Sequence, residues 1–321
     1  MCNIQIRLCA NSHICTLTNL HIKNNSNIKL LDPQILLSIK NLQLAAKTTI
    51  DSFMMGINKS SVKGQGLEFS QYRIYEPGDD LRWLDWKMYA RSDRYYIRES
   101  EVETSISVRF IIDASNSMNH IDNGFRKIDY AKYLAACLGY LANSQGDAVG
   151  LYVFKEGEVF TLPTKKDTQH LKRFYYQLEQ IEPNGKFTEP TNYKNILGSN
   201  KKRELLVVLT DFYQENDEIT RLLSNLSASK NEIIVLHLMG DNELNLNYDG
   251  YAILEDLETG KQLNIGNTST KIAYKVRLEN YLANIKQQLL NKAIVYQLIN
   301  IQHPIDKVLK DFLNQRNKLI R

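Results

Sequence analysis

Long apolar runs are missing from this chain of 321 residues. No stretch of about 18–20 apolar residues is uninterrupted, so no membrane insertion is expected. Nor does the N-terminus carry the apolar core of a secretory leader. Cysteine is scarce: Cys2, Cys9, Cys15 and Cys137. No two of them form a Cys-x-x-Cys pair, which removes the usual zinc spacing. A reduced, cytoplasmic setting is expected. A phosphate loop of the Gly-x-x-x-x-Gly-Lys-Ser/Thr type is absent, so any nucleotide hydrolysis must belong to a partner. Charge of one sign is lacking as well. Lys and Arg number 40 against 36 Asp and Glu, a net charge of +4. That balance gives no electrostatic case for nucleic acid.

What is present is an ordinary globular composition, 43% hydrophobic and 24% charged, on a chain long enough for a sizeable core. Residues 1–29, ending in the Asn-rich "NNSN", read as an extension. Residues 30–104 open with a helix pattern in which Asp32 is the N-cap, Pro33 the first turn and Gly56 the stop. They continue as a β-rich stretch with a turn at Pro77–Gly78. From Ser107 onward, strand and helix patterns alternate. "SVRFIID", "DAVGLYVF", "ELLVVLTD" and "NEIIVLHLM" are near-continuous apolar strands. "RKIDYAKYLAACLGYLANSQG" is a helix apolar nearly all round. This pattern predicts an α/β fold with a mostly parallel sheet and helices on both faces. Residues 105–240 form its core, and residues 241–321 supply a hairpin, helix, strand and helix that complete it.

Ligands of such sheets sit at the carboxyl ends of strands. There the first strand ends in Asp113, followed by Ser115 and Ser117. One carboxylate and two hydroxyls spaced by two are hard oxygen donors, suited to Mg²⁺, Mn²⁺ or Ca²⁺. A later strand ends in Asp211. Thr191 stands in the loop before that strand, with Thr188 as its alternative. The competing reading of Asp113, Ser115 and Ser117 is an Asx/Ser turn. Asp211 reads equally well as a helix cap, and Thr191, taken alone, reads better as one. His120, after the loop, is expected at its rim. His237 is expected to be a core or edge histidine, and Cys137 a small buried apolar residue.

The order Asp113-x-Ser115-x-Ser117, Thr191, Asp211 resembles the metal-ion-dependent adhesion site of von Willebrand factor type A domains. A second block is more specific. Pro77, Gly78, Asp79, Asp80, Arg82, Asp85 and Trp86, followed by Ala90 and Arg91, resemble the hallmark of the bacterial "domain of unknown function 58" family. That resemblance runs from about residue 30 to the end. It implies a Rossmann-like von Willebrand type A core and a divalent ion held by Asp113, Ser115, Ser117, Thr191 and Asp211. The serines and the threonine would ligate directly; the aspartates would act directly or through water. It also implies a protein partner offering an acidic side chain to the ion, association with a MoxR-type AAA+ ATPase, and chaperone-like work rather than catalysis. Asn192 stands where the family usually carries aspartate, which bears on how strongly the ion is held. The alternative function is a metal-assisted phosphohydrolase at the same strand ends, against which no general base is evident beside the loop. Residues 66–101 interleave aromatic and basic side chains. Their acids balance their bases, which favours a packed, salt-bridged segment over a nucleic-acid surface.

Overall fold

The structure, a computed structural model, describes residues 4–6, 41–60, 71–77, 79, 84–99, 105–156, 158–187, 203–228, 231–246, 252–258, 262–265 and 268–319. The chain divides into two compact units, one of residues 1–53 with 106–321 and one of residues 54–105.

The larger unit is built on a six-stranded sheet. Its strands are β4 (Ser107–Asp113), β7 (Ala148–Lys155), β8 (Glu158–Lys165), β9 (Glu204–Thr210), β10 (Glu232–Met239) and β13 (Val295–Asn300), in the order β13-β10-β9-β4-β7-β8. All neighbours are parallel except the β7–β8 hairpin at one edge. β4, β9 and β10 lie inside the sheet, and β9 is buried along its whole length. That is why their sequences are apolar without alternation.

The period of two along each strand still sorts side chains between two cores. Phe110 and Ile112 face one core with α1 (Leu42–Ser60), α3 (Lys127–Ser144), α4 (Thr168–Glu179) and α8 (Ile305–Leu319). Ile111 and Val208 face the other with α5 (Glu218–Ala228) and α7 (Thr268–Leu290). Helices therefore cover both faces, as the α/β pattern predicts. Among the described residues no helix is long and apolar enough to cross a membrane.

Arg109 is the one cation of β4. It is 2% exposed and reaches Glu204 with two hydrogen bonds, of 2.8 and 2.7 Å, while its guanidinium lies 4.3 Å from the centre of the Tyr152 ring. The fork-shaped pairing satisfies both charges inside the fold. At the edge, Gly150 is required by a bulge on β8. A Cβ there would stand 2.7 Å from Thr164 Cγ2 and 3.0 Å from the Leu162 carbonyl. Pro163 lies in that bulge, where a missing N–H breaks no ladder bond.

Several elements differ from the sequence expectation. α1 runs through Gly56 to Ser60, because one glycine costs a helix only about 1 kcal/mol. Residues 32–40, including the expected cap at Asp32, lie outside the described residues. Within the extension, β1 (Ile4–Ile6) pairs with β11 (Ala252–Asp256), which pairs in turn with β12 (Gln262–Ile265).

The smaller unit holds a hairpin of β2 (Gln71–Ile74) and β3 (Tyr96–Glu99) and the short helix α2 (Trp86–Ser92). Asp85 caps α2 by accepting hydrogen bonds from the N–H groups of Lys87 and Met88, and Asp79 accepts one from the Glu76 N–H. These acids thus shape turns and a helix start. Leu84 is this unit's one buried hydrophobic residue among those described, and Trp86 is 63% exposed. Tyr89 and Tyr95 stack with centroids 4.5 Å apart.

Candidate metal centre

β4 delivers Asp113 to the carboxyl edge of the sheet, and β9, beside it, delivers Thr210 and Asp211. Beyond Asp113 the chain turns into a 3₁₀ segment, Asn116–Asn119, and then a short hairpin of β5 (Ile121–Asp122) and β6 (Phe125–Arg126). One oxygen of Asp113 accepts the Ser115 N–H at 3.0 Å and the other accepts the Thr210 hydroxyl at 2.7 Å. The first of these is the Asx turn that the spacing suggests. The Ser115 and Ser117 hydroxyl oxygens meet at 2.9 Å, and Ser117 donates to Asp211 Oδ1 at 3.1 Å. Asp113, Ser115, Ser117, Thr210 and Asp211 are all buried.

Burial, and then the nearby charge of Asp211, push the Asp113 carboxyl up to about 6, against the hydrogen bonds from Thr210 and Ser115. Phe212, the residue after Asp211, has φ of +58°, a left-handed conformation that is uncommon for a bulky side chain. The Tyr281 hydroxyl donates to its carbonyl at 2.8 Å and helps to hold that turn.

The loop that leads toward the two threonines begins at this edge. Asn184 donates its N–H to the Ala114 carbonyl at 2.9 Å, and Asn116 donates to the Gly185 carbonyl at 2.8 Å. Thr188 and Thr191 themselves, with the short helix expected after them and Asn192, lie outside the described residues.

The oxygens fit a small hard cation. Adjacent ligands of an octahedral Mg²⁺ ion with bonds of about 2.1 Å stand roughly 3 Å apart, and the Ser115–Ser117 and Ser117–Asp211 oxygens stand 2.9 and 3.1 Å apart. Among the described residues no three His, Cys, Asp or Glu side chains converge on one point. Two carboxylates and two hydroxyls would suit a hard ion and no soft one.

One partner was not foreseen in the sequence. Lys127, the first residue of α3, is fully buried and donates to Asp211 Oδ2 at 3.1 Å and to Glu243 Oε1 at 2.8 Å. Glu243 belongs to α6 (Asp241–Asn245), and its other oxygen accepts the Gly240 N–H at 2.7 Å. Burial alone would lower the Lys127 pKa, but Asp211 and Glu243 outweigh it, so the ammonium is retained. A lysine in the first turn of an apolar helix was the available signal, since buried lysines are almost always paired.

His120 is not at a rim. It is wholly buried, with Nε2 2.9 Å from Asn242 Oδ1 and Nδ1 without a partner among the described residues. His237 is buried in β10. Its Nε2 donates to the Asp211 carbonyl at 2.9 Å, so Nδ1 accepts from the Tyr296 hydroxyl at 2.8 Å. Burial holds this imidazole neutral, down to about 4. Cys137 is buried mid-helix, and burial pushes its thiol up to about 12, which makes it inert.

A model of the family described as "Protein of unknown function DUF58" matches residues 71–284. The chain belongs to that family. An uncharacterized protein of Mycobacterium tuberculosis is 22% identical to this DUF58 chain over 232 residues, which cover 71% of the chain and 73% of the relative. An uncharacterized protein of Mycobacterium bovis matches to the same extent. Among solved structures, BatB from Bacteroides thetaiotaomicron is 17% identical, with a TM-score of 0.44, over 67% of this chain and 100% of BatB. The SpRpn10 VWA domain is 10% identical, with a TM-score of 0.40, over 65% of this chain and 95% of that domain.

Proposed function

We propose that this DUF58 protein is a cytoplasmic protein-interaction module that presents a divalent ion, Mg²⁺ or its close relatives, to an acidic side chain of a partner. The observation that carries the reading is the row of oxygens from Ser115 through Ser117 to Asp211, spaced at 2.9 and 3.1 Å at the strand ends. Asp113, Ser115, Ser117 and Asp211 would hold the ion, with Thr191 as the further ligand implied by resemblance. A bound divalent ion supplies a charge that a partner's carboxylate can neutralise. The chain's own part is to orient the hydroxyls, which the Asx turn at Asp113 and the left-handed turn at Phe212 do. Beside the loop, a cleft of about 210 Å³ lined by apolar Ala114, Val153 and Ile181 and by charged Lys155, Glu158 and Glu182 offers room for residues flanking the acidic anchor.

The interaction reading is preferred to a phosphohydrolase because His237, the imidazole nearest Asp211, is occupied on both nitrogens and is held as a structural group. The partner proposed is a MoxR-type AAA+ ATPase, with the pair acting in chaperone-like maturation of other proteins. The test is capture of such an ATPase by tagged protein in Mg²⁺ and in EDTA. Retention in Mg²⁺, loss in EDTA and loss with Asp113→Ala are expected. Equal capture in all three conditions rejects the proposal.

A further inference from the structure

The strand-end site contains a cation of its own. Lys127 Nζ lies 3.1 Å from Asp211 Oδ2, and Asp211 turns its other oxygen toward Ser117. The ammonium and the aspartate side chain are both wholly excluded from water. Glu243 completes the pairing at 2.8 Å. Asp113, Asp211 and Glu243 together bring three negative charges, and Lys127 removes one.

A site for a divalent ion gains affinity from each nearby uncompensated carboxylate, because charges interact strongly where water is absent. Here one of the two strand-end carboxylates is already half engaged by a fixed ammonium that solvent cannot screen. The helix that carries this ammonium is anchored throughout the first core, so the charge cannot swing away.

We propose that Lys127 is a resident counter-cation that weakens the hold of Asp211 on a divalent ion and keeps the unliganded loop folded. This rests on the reading of Asp113, Ser115, Ser117 and Asp211 as the ion's site. An ion held weakly by the chain alone gains its remaining ligand from the partner's carboxylate, so ion and partner bind together. Asp211 is then tuned by Lys127 as metal ligands are commonly tuned by the groups that hydrogen-bond to them.

The experiment is direct titration of the full chain with Mn²⁺, with unbound ion followed by electron paramagnetic resonance. Wild type, Lys127→Met, Lys127→Gln and Asp113→Ala would be compared. Lys127→Gln guards against a misfolded Lys127→Met, because its amide can still donate a hydrogen bond to Asp211 or Glu243 while carrying no charge. Near-ultraviolet circular dichroism checks that each is folded. The expected result is Mn²⁺ binding tightened by about tenfold or more in the folded Lys127 variants. The same is expected where wild type binds no measurable Mn²⁺ and the variants do.

Unchanged or weaker binding in a folded Lys127 variant overturns the inference, and weaker binding would mean that Lys127 merely positions Asp211. If wild type binds Mn²⁺, Asp113→Ala abolishes it and Lys127 variants match wild type, the site stands and only the role of Lys127 falls. If Asp113→Ala binds as wild type does, the site itself is wrong. If no folded form binds Mn²⁺, both readings fall.

Discussion

At the scale of single residues, the loop trades stability for charge. Asp113 is buried and its folded-state carboxyl is raised from 3.8 to about 6. A raised carboxyl stabilises the fold while protonated, and that contribution is lost as pH rises through the folded value. Asp113→Asn keeps an acceptor for Ser115 and lets the Thr210 hydroxyl turn its lone pair inward. In ion-free buffer at pH 7.5 the variant should be more stable than wild type, by up to about 3 kcal/mol. Its advantage should fade toward pH 4. Urea unfolding at the two pH values measures both. Mg²⁺ should stabilise wild type and leave Asp113→Asn unmoved.

His237 works in the opposite direction. Its folded pKa is depressed from 6.5 to about 4. Its contribution is full above the unfolded value and is lost as pH falls through the folded one. His237→Gln can still donate to the Asp211 carbonyl. Between pH 6.5 and 4 it should therefore lose less stability than wild type, by as much as about 3 kcal/mol. An equal acid slope in the two proteins would contradict this burial account.

At the scale of elements, α3 and α4 approach closely at a glycine. Gly139 faces the ring of Phe174, and a Cβ there would lie 2.7 Å from Phe174 Cε1. That ring is itself packed by Phe110 and Tyr175, at centroid distances of 5.5 and 5.9 Å, and has little room to retreat. Gly139→Ala gains about 1 kcal/mol of helix propensity but forces overpacking worth roughly 1–3 kcal/mol. A net loss in chemical denaturation is expected.

The helix and its neighbours were legible because their patterns are local. Continuous apolar runs marked β4, β9 and β10, and an apolar stretch rich in alanine marked α3. Asp113 and Asp211 were legible as strand ends. What was hidden depends on contacts distant in sequence or on very short elements. Lys127 and Glu243 are 116 residues apart, and Glu243 sits in a helix of five residues. A lone lysine on a helix reads as solvent-facing by default. His120 read as a rim residue because its neighbours in sequence form the loop, while its actual partner, Asn242, lies 122 residues away. The three residues of β1 carry too short a pattern to separate from the Asn-rich segment around them.

At the scale of the molecule, β13 and α8 belong to the sheet rather than to a tail. β13 extends the parallel sheet beside β10, in register from Ile234–Val295 to Met239–Asn300. α8 places Ile305, Leu309 and Phe312 in the first core. Ending the chain after Ala293 would uncover a long apolar strand edge and open that core. Such a protein should lose cooperative unfolding and associate, as judged by near-ultraviolet circular dichroism and light scattering.

The buried triad also bears on how the protein is made. Lys127 emerges from the ribosome 84 residues before Asp211 and 116 before Glu243. An ammonium cannot enter an apolar interior without its counter-charges. The start of α3 must therefore wait, partly solvated, until the chain has passed Glu243. A nascent chain released before Glu243 is therefore expected to leave Lys127 short of a counter-charge. The oxygen row is displayed only by a protein whose synthesis has passed that point.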